Sequence, residues 1–173
     1  YKPAGERVMP PSEVVMSLVD IVSKGGNMLL NVGPDAEGVI PAGHIKNLLA
    51  AGEWLKANGE AIYGAGRTPF GAELGHHSAV LPSHFGERQF IPAKEWRATT
   101  KPGKIFVHIF KKTKKGDFYL PTPATAIKSV YLLGDASRTP LKLTKNRDHV
   151  SIKLPSTALD PIATVLCVEL ETP

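Results

Sequence analysis

The chain has 173 residues, 42% of them hydrophobic and 21% charged, which suits a globular protein of one or two domains. No run of about 18 apolar residues occurs, so no segment reads as a membrane span, and a single cysteine, Cys167, excludes a disulfide framework within the chain. The net charge of +5 raises nucleic acid or acidic glycans as partners, but the densest basic cluster, Lys111, Lys112, Lys114 and Lys115, lies between two predicted strands and reads as a solvated hairpin end, and no aromatic RNA-binding signature or helix-turn-helix pattern accompanies it.

Tyr1-Lys2-Pro3-Ala4-Gly5 has the composition of a mid-loop, and no charged-then-apolar leader precedes the first helix, so a piece of a longer chain is expected. Pro11-Ser12-Glu13 opens a helix, with Ser12 as the expected N-cap and Glu13 facing the positive end of the dipole. Val14, Val15, Leu18, Ile21 and Val22 give it one apolar face, and Gly25 or Gly26 ends it. Met28-Leu29-Leu30 and Val32 then form a nearly continuous apolar run, closed by Gly33-Pro34. Such a run between helices predicts a parallel strand covered on both faces. After the polar Asp35-Ala36-Glu37-Gly38, Pro41 starts a second helix with Ile45, Leu48, Leu49, Gly52 and Leu55 in period, Trp54 beside them and Asn58-Gly59 at the end. The α-β-α order implies a right-handed crossover in a parallel sheet. One parallel strand without parallel neighbours is not stable, so residues 1–66 are expected to be the end of a larger α/β domain.

Residues 67–94 read as an irregular connection, rich in Gly, Pro and His. Residues 95–173 differ again. Trp96–Thr100, Ile105–Phe110, Phe118–Leu120, Ile127–Leu133, Leu141–Thr144, Val150–Leu154 and Thr164–Leu170 are short β-branched and aromatic runs separated by turn signals such as Lys101-Pro102-Gly103 and Gly134-Asp135. They predict an antiparallel β-sandwich. Ile105, Val107 and Ile109 on one face and Phe106, His108 and Phe110 on the other mark a central strand. Cys167, inside an apolar run, reads as a packed core thiol. The six histidines, His44, His76, His77, His84, His108 and His149, lack the spacing of a zinc site, so neither metal nor cofactor is expected.

The ordered series Ser23-Lys24-Gly25-Gly26-Asn27-Met28-Leu29-Leu30-Asn31-Val32-Gly33-Pro34, Asp35, Gly38, Gly52-Glu53-Trp54-Leu55 and Asn58-Gly59-Glu60-Ala61-Ile62-Tyr63 resembles α-L-fucosidases of glycoside hydrolase family 29. Trp96–Lys104 and Tyr131-Leu132-Leu133-Gly134-Asp135 resemble the C-terminal sandwich of bacterial members, so the likeness runs over nearly the whole chain. It implies a (β/α)8-like barrel followed by a β-sandwich, with Asn27–Val32 as the last or nearly last barrel strand and Asn31 at the rim where barrel active sites are built. It also implies a retaining exo-glycosidase that releases terminal α-L-fucose from glycans, using two carboxyl groups about 5–5.5 Å apart.

In that family the nucleophilic Asp, the sugar-binding histidines and the acid/base carboxylate lie upstream of the Gly-Gly-Asn block, so the catalytic pair is expected upstream of Tyr1. Tyr1 corresponds to the tyrosine of an aromatic sugar platform, which leaves Tyr1 and Asn31 as substrate-binding candidates. Glu6 is the one early carboxylate on a barrel loop and a weak acid/base candidate. Asp35 and Glu37 read better as a solvated turn, and Asp20 and Glu53 as helix ion pairs. The expected partners are a fucosylated glycan and the remainder of the barrel, with no nucleic acid and no membrane. The expected compartment is the periplasm or the exterior. Two rival roles attach to the sandwich: glycan binding through exposed aromatics such as Trp96, Phe110, Phe118 and Tyr119, or a purely structural prop. An inactive relative of the glycosidases is a third reading.

Overall fold

The computed structural model describes residues 8–82, 88–111, 116–155 and 159–171. Tyr1, Glu6, His84, Lys112, Lys114 and Lys115 lie outside the described residues.

Helix α1 spans Pro11–Ser23. Its N-cap is Pro10 in extended backbone, and Pro11 takes the first helical position. A proline there loses nothing, because that N–H has no helical acceptor and the ring already fixes φ. This displaces Ser12 from the expected cap and leaves the helix without a side-chain cap bond. At the other end Gly25 adopts φ 82° and donates its N–H to the Val22 carbonyl at 2.8 Å, while Gly26 donates to Ile21 at 2.9 Å. These two bonds satisfy the last carbonyls of the helix, and the left-handed residue between them excludes a side chain without strain. Helix α2 spans Ala42–Asn58, with Pro41 at its N-cap.

No strand forms over Asn27–Val32. The parallel strand expected there has no neighbour to exchange ladder hydrogen bonds with, and a lone extended segment gains nothing over solvated backbone. The segment runs as irregular chain from α1 to α2, with Leu29 86% exposed.

The connection expected to be irregular over 67–94 carries a two-stranded antiparallel ribbon, β1 (Gly75–Pro82) and β2 (Arg88–Pro92). It escapes a pattern search because it covers no core, so Phe90 and Ile91 stay exposed and no alternation is imposed on it.

The sandwich forms as its pattern requires. Strands β3 (Trp96–Lys101), β4 (Lys104–Ile109), β6 (Ile127–Leu132) and β9 (Thr164–Leu170) make a four-stranded antiparallel sheet in the order β3-β4-β9-β6. Strands β5 (Asp117–Pro121), β7 (Leu143–Lys145) and β8 (His149–Lys153) make the second sheet, in the order β5-β8-β7. The β3–β4 hairpin closes through Pro102-Gly103, where Gly103 has φ 71°.

Two cores share the four-stranded sheet. On its inner face Ile105, Val107, Ile109, Val130, Leu166 and Val168 meet Phe118, Leu120, Val150 and Ile152 of the other sheet. On its outer face Phe106, Tyr131, Val165 and Cys167 are covered by Val14, Val15 and Val19 of α1 and Ala51 and Trp54 of α2. Both faces of β4 are therefore buried, as its sequence predicts, and Cys167 is a buried thiol whose pKa burial pushes up. The two helices are not a separate layer. They are the outer coat of the sandwich, so Trp54 packs on that sheet rather than on a barrel.

Arg97 fastens α1 and the ribbon to the edge strand β3. Its side chain is 5% exposed, and it donates Nε–H to Asp20 Oδ1 at 2.6 Å, Nη1–H to the Glu73 and Trp96 carbonyls and Nη2–H to the Ala93 carbonyl. Arg97→Leu is expected to destabilise the protein by about 3 kcal/mol, the low end of the range for breaking a buried pair, because Asp20 keeps some contact with water. A shift in denaturant midpoint measures it, and a change under about 1 kcal/mol would contradict the bracing role.

Candidate functional site

The segment from Gly25 to Pro41 is the part of the chain singled out by its backbone devices. Asp35 organises it. Its Oδ1 accepts the N–H of Glu37 at 3.1 Å and of Val39 at 2.7 Å, its own N–H donates to the Val39 carbonyl, and Gly38 closes the loop with φ 81°. A short carboxylate that accepts local backbone donors is a turn device. Asp35 is therefore occupied by its own loop, and Glu37 stands exposed in that loop.

Upstream of this turn, Leu30, Asn31 and Val32 line a small cleft of about 160 Å³ with Met9 and Val14 and with His44, Asn47 and Leu48 of α2. Asn47 Nδ2 donates to the Met9 carbonyl at 2.9 Å and ties the start of α1 to α2. Asn31 is exposed at the mouth of the cleft, in reach of solvent and of any loop laid over it. Asn27, at the far end of the run, is exposed as well. Leu29, Val39, Ile45 and Leu49, on this segment and on α2, are all exposed. Each of these side chains would gain by being covered.

Asp20 and Glu53 fall as ion pairs. Asp20 accepts from Lys24 at 2.7 Å and from Arg97, and Glu53 pairs with Lys56 at 2.6 Å on the exposed side of α2. For Asp20, burial alone raises the pKa, but hydrogen bonds from Lys24 and Arg97 and their positive charges outweigh it and hold the carboxyl below its ordinary value. At Asp20, Glu60, Glu95 and Asp135 hydrogen bonds, joined by neighbouring charge at the first three, hold the carboxyl below its ordinary value, the reverse of what a glycosidase acid needs. No three His, Cys, Asp or Glu side chains gather as a metal set among the described residues.

Of the aromatics considered for glycan binding, Phe118 is buried and meets Trp96 edge-on at 5.5 Å between ring centres. Trp96 and Phe110 are half-buried, against the inter-sheet core and the helical coat respectively. Tyr119 alone of the four points outward, 51% exposed, with His149 edge-on at 5.3 Å. A single ring of this set does not make a coplanar stacking platform.

The family model for α-L-fucosidase matches residues 1–60. Tissue α-L-fucosidase of Mus musculus is 35% identical over 162 residues, which is 91% of this chain and 30% of that protein. The α-L-fucosidase of Dictyostelium discoideum is 50% identical over 54 residues, 31% of this chain and 12% of that protein. Among solved structures, α-L-fucosidase isoenzyme 1 from Paenibacillus thiaminolyticus superposes with a TM-score of 0.75 at 30% identity, over 99% of this chain and 37% of that one. The Thermotoga maritima α-fucosidase gives a TM-score of 0.71 at 28% identity, over 95% and 36%, and has also been solved in complex with fucose. The chain thus spans about a third of the length of the structures it matches.

Proposed function

Because this chain belongs to the α-L-fucosidase family, glycoside hydrolase family 29, we propose that the protein is a retaining exo-α-L-fucosidase that releases terminal α-L-fucose from glycans. The observation that carries this reading is the likeness to the mouse tissue enzyme, which extends across both the Gly-Gly-Asn block and the sandwich. In the proposal residues 1–66 supply the end of the barrel, and the exposed side chains Leu29, Val39, Ile45 and Leu49 face its other staves. Asn31 stands at the rim and Tyr1 belongs to the sugar platform. The nucleophile and the acid/base come from the rest of the barrel. The same reading has the enzyme work in the periplasm or outside the cell.

The sandwich acts as a prop in this reading, since its outer sheet is the floor on which α1 and α2 lie. The test is hydrolysis of p-nitrophenyl α-L-fucoside by the whole protein, with the product anomer followed by NMR. Release of fucose as the α-anomer is expected. No turnover, or a β-anomer first, would overturn the reading. Residues 1–173 expressed alone are expected to give no turnover, and insoluble or partly folded material, because an apolar face made for a partner attracts other copies instead. Activity from that fragment would contradict the assignment of the carboxylates to other parts of the barrel.

A further inference from the structure

A cavity of about 570 Å³ opens where the end of α2 meets the loop after β6 and the loop before β9. That volume lies within the range of about 300–1,000 Å³ typical of small-molecule sites. It is formed by elements other than the Gly25–Pro41 segment, so it is distinct from the cleft at Asn31.

Asn58 decides its chemistry. The residue is only 3% exposed, yet it lines the cavity. Its Nδ2 donates to the Trp54 carbonyl at 3.1 Å, which fixes the amide orientation. Its Oδ1 has no partner among the described residues and lies on the wall at Gly134, 4.0 Å from where a Cβ there would stand. Held by this bond on the cavity wall, the amide oxygen offers an acceptor to a donor that enters the cavity.

Asp160 adds a second acceptor. Its Oδ1 takes the N–H groups of Ile162 and Ala163, and its Oδ2 has no partner among the described residues. Asp135 is different, because Ser137 and Thr139 occupy both its oxygens. Among the described residues no lysine or arginine lines the wall, and Leu132, Leu141, Leu159 and Val165 make it largely apolar. A site rich in acceptors and without a cation rejects anions. It suits a ligand with hydroxyl donors on one side and C–H groups on the other.

We propose that this cavity is a binding site for a neutral pyranose unit, with Asn58 Oδ1 and Asp160 Oδ2 accepting its hydroxyls. The site is an accessory one, independent of the hydrolytic reading.

The experiment uses the whole protein with labelled Leu and Val methyl groups, titrated separately with L-fucose, D-galactose and D-glucose. Methyl resonances of Leu132, Leu141, Leu159 and Val165 are expected to shift together and saturate with at least one of the sugars. Gly134→Val sets two methyls before Asn58 Oδ1. Gly134 is outside the left-handed region, so the backbone accepts the substitution. This variant is expected to weaken binding at least tenfold while turnover of p-nitrophenyl α-L-fucoside stays unchanged. Leu159→Phe fills the cavity from the opposite loop and serves if Gly134→Val fails to fold. No saturating shift with any of the three sugars, or unchanged affinity in the filled variants, would overturn the site. Turnover reads the hydrolytic proposal separately, so failure of one is distinguishable from failure of the other.

Discussion

Trp54→Ala is expected to lower the unfolding free energy by about 3–5 kcal/mol, the range for emptying a buried tryptophan site. The indole is 3% exposed, sits 6.2 Å from the His108 ring centre and donates Nε1–H to the Ala163 carbonyl at 2.8 Å. Ala163 directly precedes β9, so one side chain both fills the space between α2 and the four-stranded sheet and ties the helix to the entry of its central strand. Truncation removes that packing and leaves a buried carbonyl without a donor. Trp54→Phe, which keeps a ring and loses the bond, is expected to cost about 1–3 kcal/mol. Denaturant midpoints of the whole protein, together with hydrogen exchange of the β4 and β9 amides, measure both. A loss under about 1 kcal/mol for the alanine variant would mean that α2 is not anchored through this residue.

The second large effect is a pH dependence set by His108. Its ring is completely buried on the outer face of β4, and burial pushes its pKa down to about 3. The geometry explains the direction. Thr99 Oγ1 donates to the Ala61 carbonyl at 2.7 Å, so it accepts from His108 Nε2–H at 3.0 Å, which fixes the tautomer. Nδ1 is then a bare nitrogen with no partner among the described residues, and a proton there would place an uncompensated charge beside the indole.

Because the folded pKa lies below the ordinary value of 6.5, the unfolded chain binds the proton more readily between pH 6.5 and about 3. The stabilisation is complete above pH 6.5 and is lost as the pH falls through that window, at about 1.4 kcal/mol per unit. Asp20 has the opposite chemistry and the same sign. Its lowered pKa gives stability that is present above its ordinary 3.8 and is lost as pH falls through the folded value. The two separate by window, since between pH 5 and 6.5 Asp20 stays ionised. His108→Gln keeps a donor for Thr99 and is expected to remove the slope in that interval. Equal slopes in the two proteins would refute the assignment of the pH dependence to His108.

Much of this architecture is legible in the residue pattern. The strand runs predicted for 95–173 coincide with β3 to β9 to within a few residues, because strands in a two-sheet core impose a period of two and their turns need Gly, Pro or Asp. Strand β4 was readable as central from its two apolar faces, and the start and stop of α1 from Pro11 and Gly25. Ser12 is not the cap, because a proline entry satisfies the same geometry without a side chain. The segment Asn27–Val32 carries the apolar content of a buried strand, yet in this chain it is exposed and unpaired.

What the amino-acid order determined by itself is local: where helices and strands begin, which faces are apolar, and the ordered block that identifies the family. Those follow from side-chain period, turn chemistry and φ preference, which act over a few residues. Tertiary structure alone decided that the two helices coat the sandwich, that Arg97 and Trp54 are its fasteners, that His108 is buried neutral, and that Asn58 and Asp160 meet at one cavity. Each of these depends on residues far apart in the chain, and only chain closure brings them together.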